Sequence, residues 1–174
     1  MNYNRLAEEA HENAVNHGFW EEKWSNEHCL MLVITEISEM VEAHRVNRKA
    51  NTAAYNDMFN EQNGFERYIK NTMEDEMADI VIRLADLAGA LGVNFDKMSP
   101  CRYYRAYSKF SFTENAFALS RGLCRYGFGI EKRIQFGLDF VSKWAQELNI
   151  DLAFFVVQKM RYNVTRPYKN GKQY

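Results

Sequence analysis

Two short stretches of the chain carry acidic residues three positions apart, Glu36 with Glu39 and Glu76 with Asp79. On an α-helix, residues at that spacing are neighbours on one face. Two carboxylates so placed repel by roughly 1 to 4 kcal/mol at 4 Å, depending on the local dielectric, so a helix gains nothing from them without a cation in between. If the two pairs converge, an oxygen-only donor set without His or Cys favours a hard divalent ion, Mg²⁺ or Mn²⁺, over zinc. In a chain with 23 acidic residues among 174, such spacings also arise by chance, and charge pairs on helix faces are commonly just solvated. The residue types and spacing leave both readings open.

The elements that must position these pairs are helices. Nine glycines and two prolines leave few breakers, and apolar residues recur at three- and four-residue intervals. The pattern predicts helices over about 3–17, 26–47, 65–92, 113–125, 131–148 and 151–163, the third with a possible break near Asn71. Ser25 marks one start, Thr113 followed by Glu114 a second, and Asn149 with Asp151 a third. Gly92, Gly127 and Gly129 mark stops. In the second helix Leu30, Ile34, Ile37 and Val41 form the predicted core stripe, with Glu36 and Glu39 on the opposite flank. In the third, Met73, Met77, Ile80, Leu84, Leu87 and Leu91 form the stripe, with Glu76 and Asp79 at its edge. The run from Ser99 to Phe112, rich in Tyr and Arg, reads as an ordered connector.

Composition narrows the function classes. Basic residues number 22 against 23 acidic, so the charge balance argues against a dominant nucleic-acid role. The longest apolar runs, Cys29 to Ile34 and Leu152 to Val157, are six residues each, far short of the roughly 20 that span a bilayer. No apolar leader follows the opening Met-Asn-Tyr-Asn-Arg, so no secretory signal is expected. Cys29, Cys101 and Cys124 are odd in number and lack CxxC spacing, which fits a reducing cytoplasm better than a disulfide framework or a zinc cluster. His11, His17, His28 and His44 show no metal-ligand spacing.

The stretch Thr-Glu-Ile-Ser-Glu-Met-Val-Glu-Ala-His-Arg over 35–45, followed by Asp-Glu-Met-Ala-Asp-Ile-Val-Ile-Arg-Leu over 75–84, resembles the paired ExxE and ExxD helices of the MazG-like all-α nucleoside triphosphate pyrophosphohydrolases. The C-terminal Lys-Met-Arg-Tyr-Asn-Val-Thr-Arg-Pro-Tyr-Lys-Asn-Gly-Lys over 159–172 is similar to the tail of one branch of that family. The resemblance covers about half the chain in three blocks. It implies a single all-α domain over 1–174, a multi-helix bundle of the all-α NTP pyrophosphohydrolase type completed by oligomerisation, most simply a homodimer, with a basic tail from about 164. It also implies hydrolysis of a (deoxy)nucleoside triphosphate at the α-phosphorus to a monophosphate and pyrophosphate, with Glu36, Glu39, Glu76 and Asp79 as catalytic Mg²⁺ ligands and Mn²⁺ as a substitute. Thr35 stands where an acidic residue is common in the family, and about 36 residues separate Glu39 from Glu76; the longer insert bears on substrate preference more than on chemistry. A dimeric dUTP diphosphatase lies within this reading. The rival from another class is a non-catalytic helical module whose basic tail binds a nucleic acid or a protein.

The remaining candidates each carry two readings. Arg83 can reach a triphosphate or pair with Asp79. Glu42 extends the acidic row or is exposed charge. The acid-free stretch from Leu152 to Tyr174 supplies Lys159, Arg161, Arg166, Lys169 and Lys172. The tail resemblance favours substrate contact for Lys159, Asn163, Arg166 and Lys172. Trp20, with Phe19 and Trp24 beside it, can stack on a nucleobase or pack the core. Arg102, Tyr103, Tyr104, Arg105 and Tyr107 form either a nucleotide-contacting loop or a surface cover. Met31 with Val33, and Phe136 with Trp144, place apolar residues on second helix faces, which is the argument for a subunit interface.

Overall fold

The computed structural model describes residues 1–58, 63–99, 105–171 and 173. Among these there is no strand; the longer elements are α1 (Tyr3–Asn16), α2 (Asn26–Arg45), α5 (Met73–Ala90), α6 (Phe112–Leu123), α7 (Ile130–Glu147) and α8 (Leu152–Val164). Two short helices, α3 (Thr52–Asp57) and α4 (Gly64–Tyr68), lie in the insert. Among the described residues no helix is long and apolar enough to cross a membrane.

The bundle is built around α5, which packs against α1, α2, α7 and α8. Its sequence is apolar on nearly every face, and Met77, Ala78, Ile80, Val81, Leu84, Ala85, Leu87 and Ala88 are all buried. A helix of that kind belongs in a core rather than at a surface. Small residues set the closest approach: a Cβ on Gly89 would stand 2.4 Å from the Ala7 carbonyl oxygen, so glycine lets α1 lie directly against α5. Leu91, read as the end of the core stripe, is 41% exposed, because the chain is already turning away through Gly92 at φ +64°.

The helix read over 65–92 is two helices. Asn71 adopts φ +59° between α4 and α5, and Thr72 caps α5 by accepting a hydrogen bond from the Asp75 amide. Ser25 caps α2 as read. The start of α6 is Ser111 rather than Thr113, since Ser111 and Glu114 exchange the reciprocal bonds of a capping box. Asp151 caps α8, whereas Asn149, at φ +57°, finishes the turn after α7.

The buried face of α2 also differs from the predicted stripe. Leu30, Val33, Ile37, Met40 and Ala43 are buried together with Glu36, while Ile34 and Val41 are only partly covered. The cause is that α2 is wedged between α5 and α6, and His44 stacks on Phe112 at 3.9 Å across the second contact. The same packing buries Val33 completely, and Trp144 is 2% exposed in the α7 core. These two residues therefore need no subunit to cover them, whereas Met31 remains exposed.

Candidate metal and phosphate site

A cleft opens between α2, α5 and α8, closed at one end by α1 and the 17–24 segment. Glu36 from α2 and Glu76 and Asp79 from α5 each offer an oxygen to it, all within 4.8 Å of one another. Glu36 and Glu76 are buried. Glu39 also lines the cleft but is exposed and stands outside this trio. Burial of Glu36 turns the neighbouring arc of α2, with Glu39, toward solvent.

Two cations come with the carboxylates, the partly exposed Arg83 and the buried Lys159. The Arg83 guanidinium donates from Nε to Glu36 Oε1, so its partner is the carboxylate across the helix contact and not Asp79 on its own helix. Lys159 Nζ lies 2.6 Å from Asp79 Oδ2 and donates to both oxygens of Asp75 at 3.0 Å. Asp75 is 1% exposed and also accepts the Asn71 amide at 2.9 Å. Glu76 has no ion-pair partner among the described residues.

The charge balance shows in the protonation equilibria. Burial pushes the Glu76 carboxyl up to about 9, helped by repulsion from Asp79 and Asp75. Burial raises Glu36 as well, against the pull of Arg83, and takes Asp75 to about 6 against the pull of Lys159. The Lys159 ammonium is held above its ordinary value: burial acts to lower it, and Asp79 and Asp75 outweigh that effect.

The donor set fits a hard cation. Ligand oxygens on an octahedral Mg²⁺ at about 2.1 Å stand roughly 3 to 4 Å apart, so the trio is close to the required spacing. A divalent ion would also supply the positive charge that Glu76 lacks.

Beyond the trio the lining becomes basic and amide-rich. Lys159, Asn163 and Arg166 all reach the cleft. The Asn163 Oδ1 atom is buried without a hydrogen-bond partner, and the Arg166 guanidinium sits 5.8 Å from the Tyr162 ring centroid. Lys172 lies outside the described residues. Lys70, not singled out by sequence reasoning, joins this edge from the insert; its Nζ is 3.1 Å from both Glu66 Oε1 and the Tyr162 hydroxyl.

The opposite end is aromatic. Trp20 lines the cleft and donates its indole N–H to Asp86 Oδ1 at 2.8 Å, while His11 Nδ1 meets the same oxygen at 2.9 Å. Trp24 stacks on His28 at 4.2 Å, and its indole N–H donates to the Phe19 carbonyl at 2.7 Å.

Several candidates fall away from the cleft. Glu42 pairs with Arg45 at 2.6 Å on the solvent face of α2. Arg105 donates to Asn115 and covers the Phe110 ring, and the buried Tyr107 hydroxyl donates to the Phe140 carbonyl. These two therefore hold the connector onto α6 and α7, while Arg102, Tyr103 and Tyr104 lie outside the described residues. Asp75 and Asp86 were also missed by sequence reasoning. Their only signal was a continuation of the acidic row along α5, which the apolar pattern around them masked.

No protein-family model, curated protein or solved structure matches the chain.

Proposed function

We propose that the protein is a Mg²⁺-dependent nucleoside triphosphate pyrophosphohydrolase of the MazG-like all-α type. The observation that carries this reading is one cleft with an under-neutralised carboxylate trio, Glu36, Glu76 and Asp79, beside a basic edge of Lys159, Arg166 and Lys70. A metal–triphosphate complex presents the matching charges. Plain surface carboxylates, the bland alternative, would be solvated, and Glu36 and Glu76 are not.

In this reading Glu36, Glu76 and Asp79 hold the metal, which when bound neutralises phosphate charge and acidifies a water. Glu39, exposed beside the trio, is the carboxylate placed to orient the attacking water. Arg83 and Lys159 keep the carboxylates at fixed positions and shield their mutual repulsion. Asn163 and Arg166 direct an amide and a guanidinium toward phosphate oxygens, where charge-assisted hydrogen bonds are strongest. Trp20, its ring fixed by Asp86, offers a flat apolar surface for the base.

The test is pyrophosphate release from a panel of canonical and damaged (d)NTPs under Mg²⁺ titration, with dUTP included. Metal-dependent release with the matching monophosphate is expected. Folded protein that releases no pyrophosphate from any of them would overturn the reading in favour of a non-catalytic binding module.

A further inference from the structure

After α8 the chain folds back onto the 17–24 segment at Tyr168 and Lys169. Residue Thr165 ends α8, with its hydroxyl donating to the Tyr162 carbonyl at 2.8 Å. Three residues later the Tyr168 ring lies against Gly18, so closely that a Cβ on Gly18 would stand 2.2 Å from its Cε2. Gly18 holds φ +80°, a left-handed conformation that favours glycine, so both its backbone and its missing side chain suit the contact. The next amide, of Lys169, donates to the His17 carbonyl at 2.8 Å, and the Lys169 ammonium lies 3.4 Å from Glu21. The Tyr168 hydroxyl is hydrogen-bonded to Glu21 as well.

These contacts join two walls of the cleft. On one side is the 17–24 segment, which contributes Phe19 and Trp20; on the other is the end of α8, which contributes Asn163 and Arg166. Only Pro167 separates Arg166 from Tyr168. Proline fixes its own φ and confines the preceding residue to extended conformations. Two residues also span at most about 7 Å. The chain between α8 and Tyr168 thus has almost no slack, and the direction of Arg166 follows from where Tyr168 is seated.

We propose that Gly18 and Tyr168 form a clasp whose role is to position Arg166 for the phosphate chain of the substrate. This rests on the reading of the cleft as a nucleotide site. Tyr168 and Gly18 touch no substrate themselves; they are positioning residues that act through Arg166.

The experiment is a double-mutant cycle in the full-length protein. Tyr168→Ala is expected to raise KM about 10-fold, the size of one weakened charge-assisted hydrogen bond, with kcat changed less than about 3-fold. Tyr168→Phe keeps the ring in its seat and should hold KM within about 3-fold of wild type. Because both residues act through one guanidinium, Tyr168→Ala combined with Arg166→Met should be no worse than Arg166→Met alone. Additive losses, or an unchanged KM in Tyr168→Ala, would overturn the proposal. Gly18→Ala should reproduce Tyr168→Ala if it folds, and the exposed Tyr168 position keeps the test available if it does not. Two readouts separate this idea from the catalytic reading: amide exchange over 165–171 and calorimetric binding of inorganic tripolyphosphate. A protein inactive on every nucleotide, yet losing tripolyphosphate affinity and amide protection over 165–171 in Tyr168→Ala, would refute hydrolysis and retain the clasp. Unchanged tripolyphosphate affinity in that variant would refute the clasp by itself.

Discussion

Glu76 is 3% exposed and titrates near 9 instead of its ordinary 4.5. Below pH 4.5 both the folded and unfolded forms carry the proton, and the shift has no effect on stability. Between 4.5 and 9 the unfolded chain releases a proton that the fold keeps, so stability falls as pH rises, by up to about 1.4 kcal/mol per pH unit from this group. Asp75, at about 6, and Glu36 act with the same sign. Metal-free protein should therefore melt at a lower temperature at pH 8 than at pH 5, and saturating Mg²⁺ should remove most of the difference. Calorimetry of stripped and reloaded protein measures both, and a melting point that climbs over this range would contradict the charge imbalance. Glu76→Gln should flatten the profile while cutting turnover at least about 100-fold, as should Asp79→Asn for turnover. Lys159→Met has the opposite character. It strips the cation from Asp75 and Asp79 and should cost about 3 to 5 kcal/mol in urea denaturation at pH 7; a near-neutral result would mean that the ion pairs hold nothing in place.

At the scale of the element, the register of the carboxylates depends on how α2 and α5 are anchored. Thr72→Ala removes the α5 cap and should cost about 1 kcal/mol. Gly89→Ala forces α1 away from α5 and should cost about 1 to 3 kcal/mol, measured as a lower urea midpoint with the slope unchanged. Helix positions were readable because apolar periodicity and capping residues are local properties. The buried arc of α2 was not, because Leu30, Ile34, Ile37, Val41 and Leu30, Val33, Ile37, Met40 are equally apolar stripes. Only the tertiary contact with α6 chooses between them, and that choice takes Glu36 inward and leaves Glu39 outside the trio. The spacing of Glu76 and Asp79 was legible for the same local reason, whereas the pairing of Arg83 with Glu36 required the helix crossing. Helix α3 is only six residues long and offers too little periodicity to detect.

At the scale of the molecule, the cleft draws on residues from near both ends of the chain, with Trp20 early and Arg166 late. Deleting everything after Tyr162 should raise KM and lower kcat/KM by about 10³-fold, the sum of two or three lost charge-assisted hydrogen bonds, while Mg²⁺ affinity persists. Equal kcat/KM in the two proteins at low and high ionic strength would remove the tail from substrate capture. The homodimer expected from the sequence would need an exposed apolar face to bury. The outer surface of α6 and the following turn leave Phe117 68% and Tyr126 85% exposed, next to partly exposed Phe110 and Phe128. Light scattering at micromolar concentration should report twice the 20.5 kDa chain mass; a monomer would return these aromatics to solvent.

The hydrogen bond between the Trp20 indole and Asp86 gives the protein an optical handle. Of three tryptophans, Trp144 is sealed in the core and its emission should ignore the cleft, and Trp24 lies flat on the His28 imidazole. Both Trp20, with its N–H beside a carboxylate, and Trp24 border the cleft, so a base bound there would change the polarity and stacking around these two chromophores and not around Trp144. Occupancy can then be followed by intrinsic fluorescence without labels, even in variants too slow to assay, and Trp20→Phe and Trp24→Phe apportion the signal between the two rings.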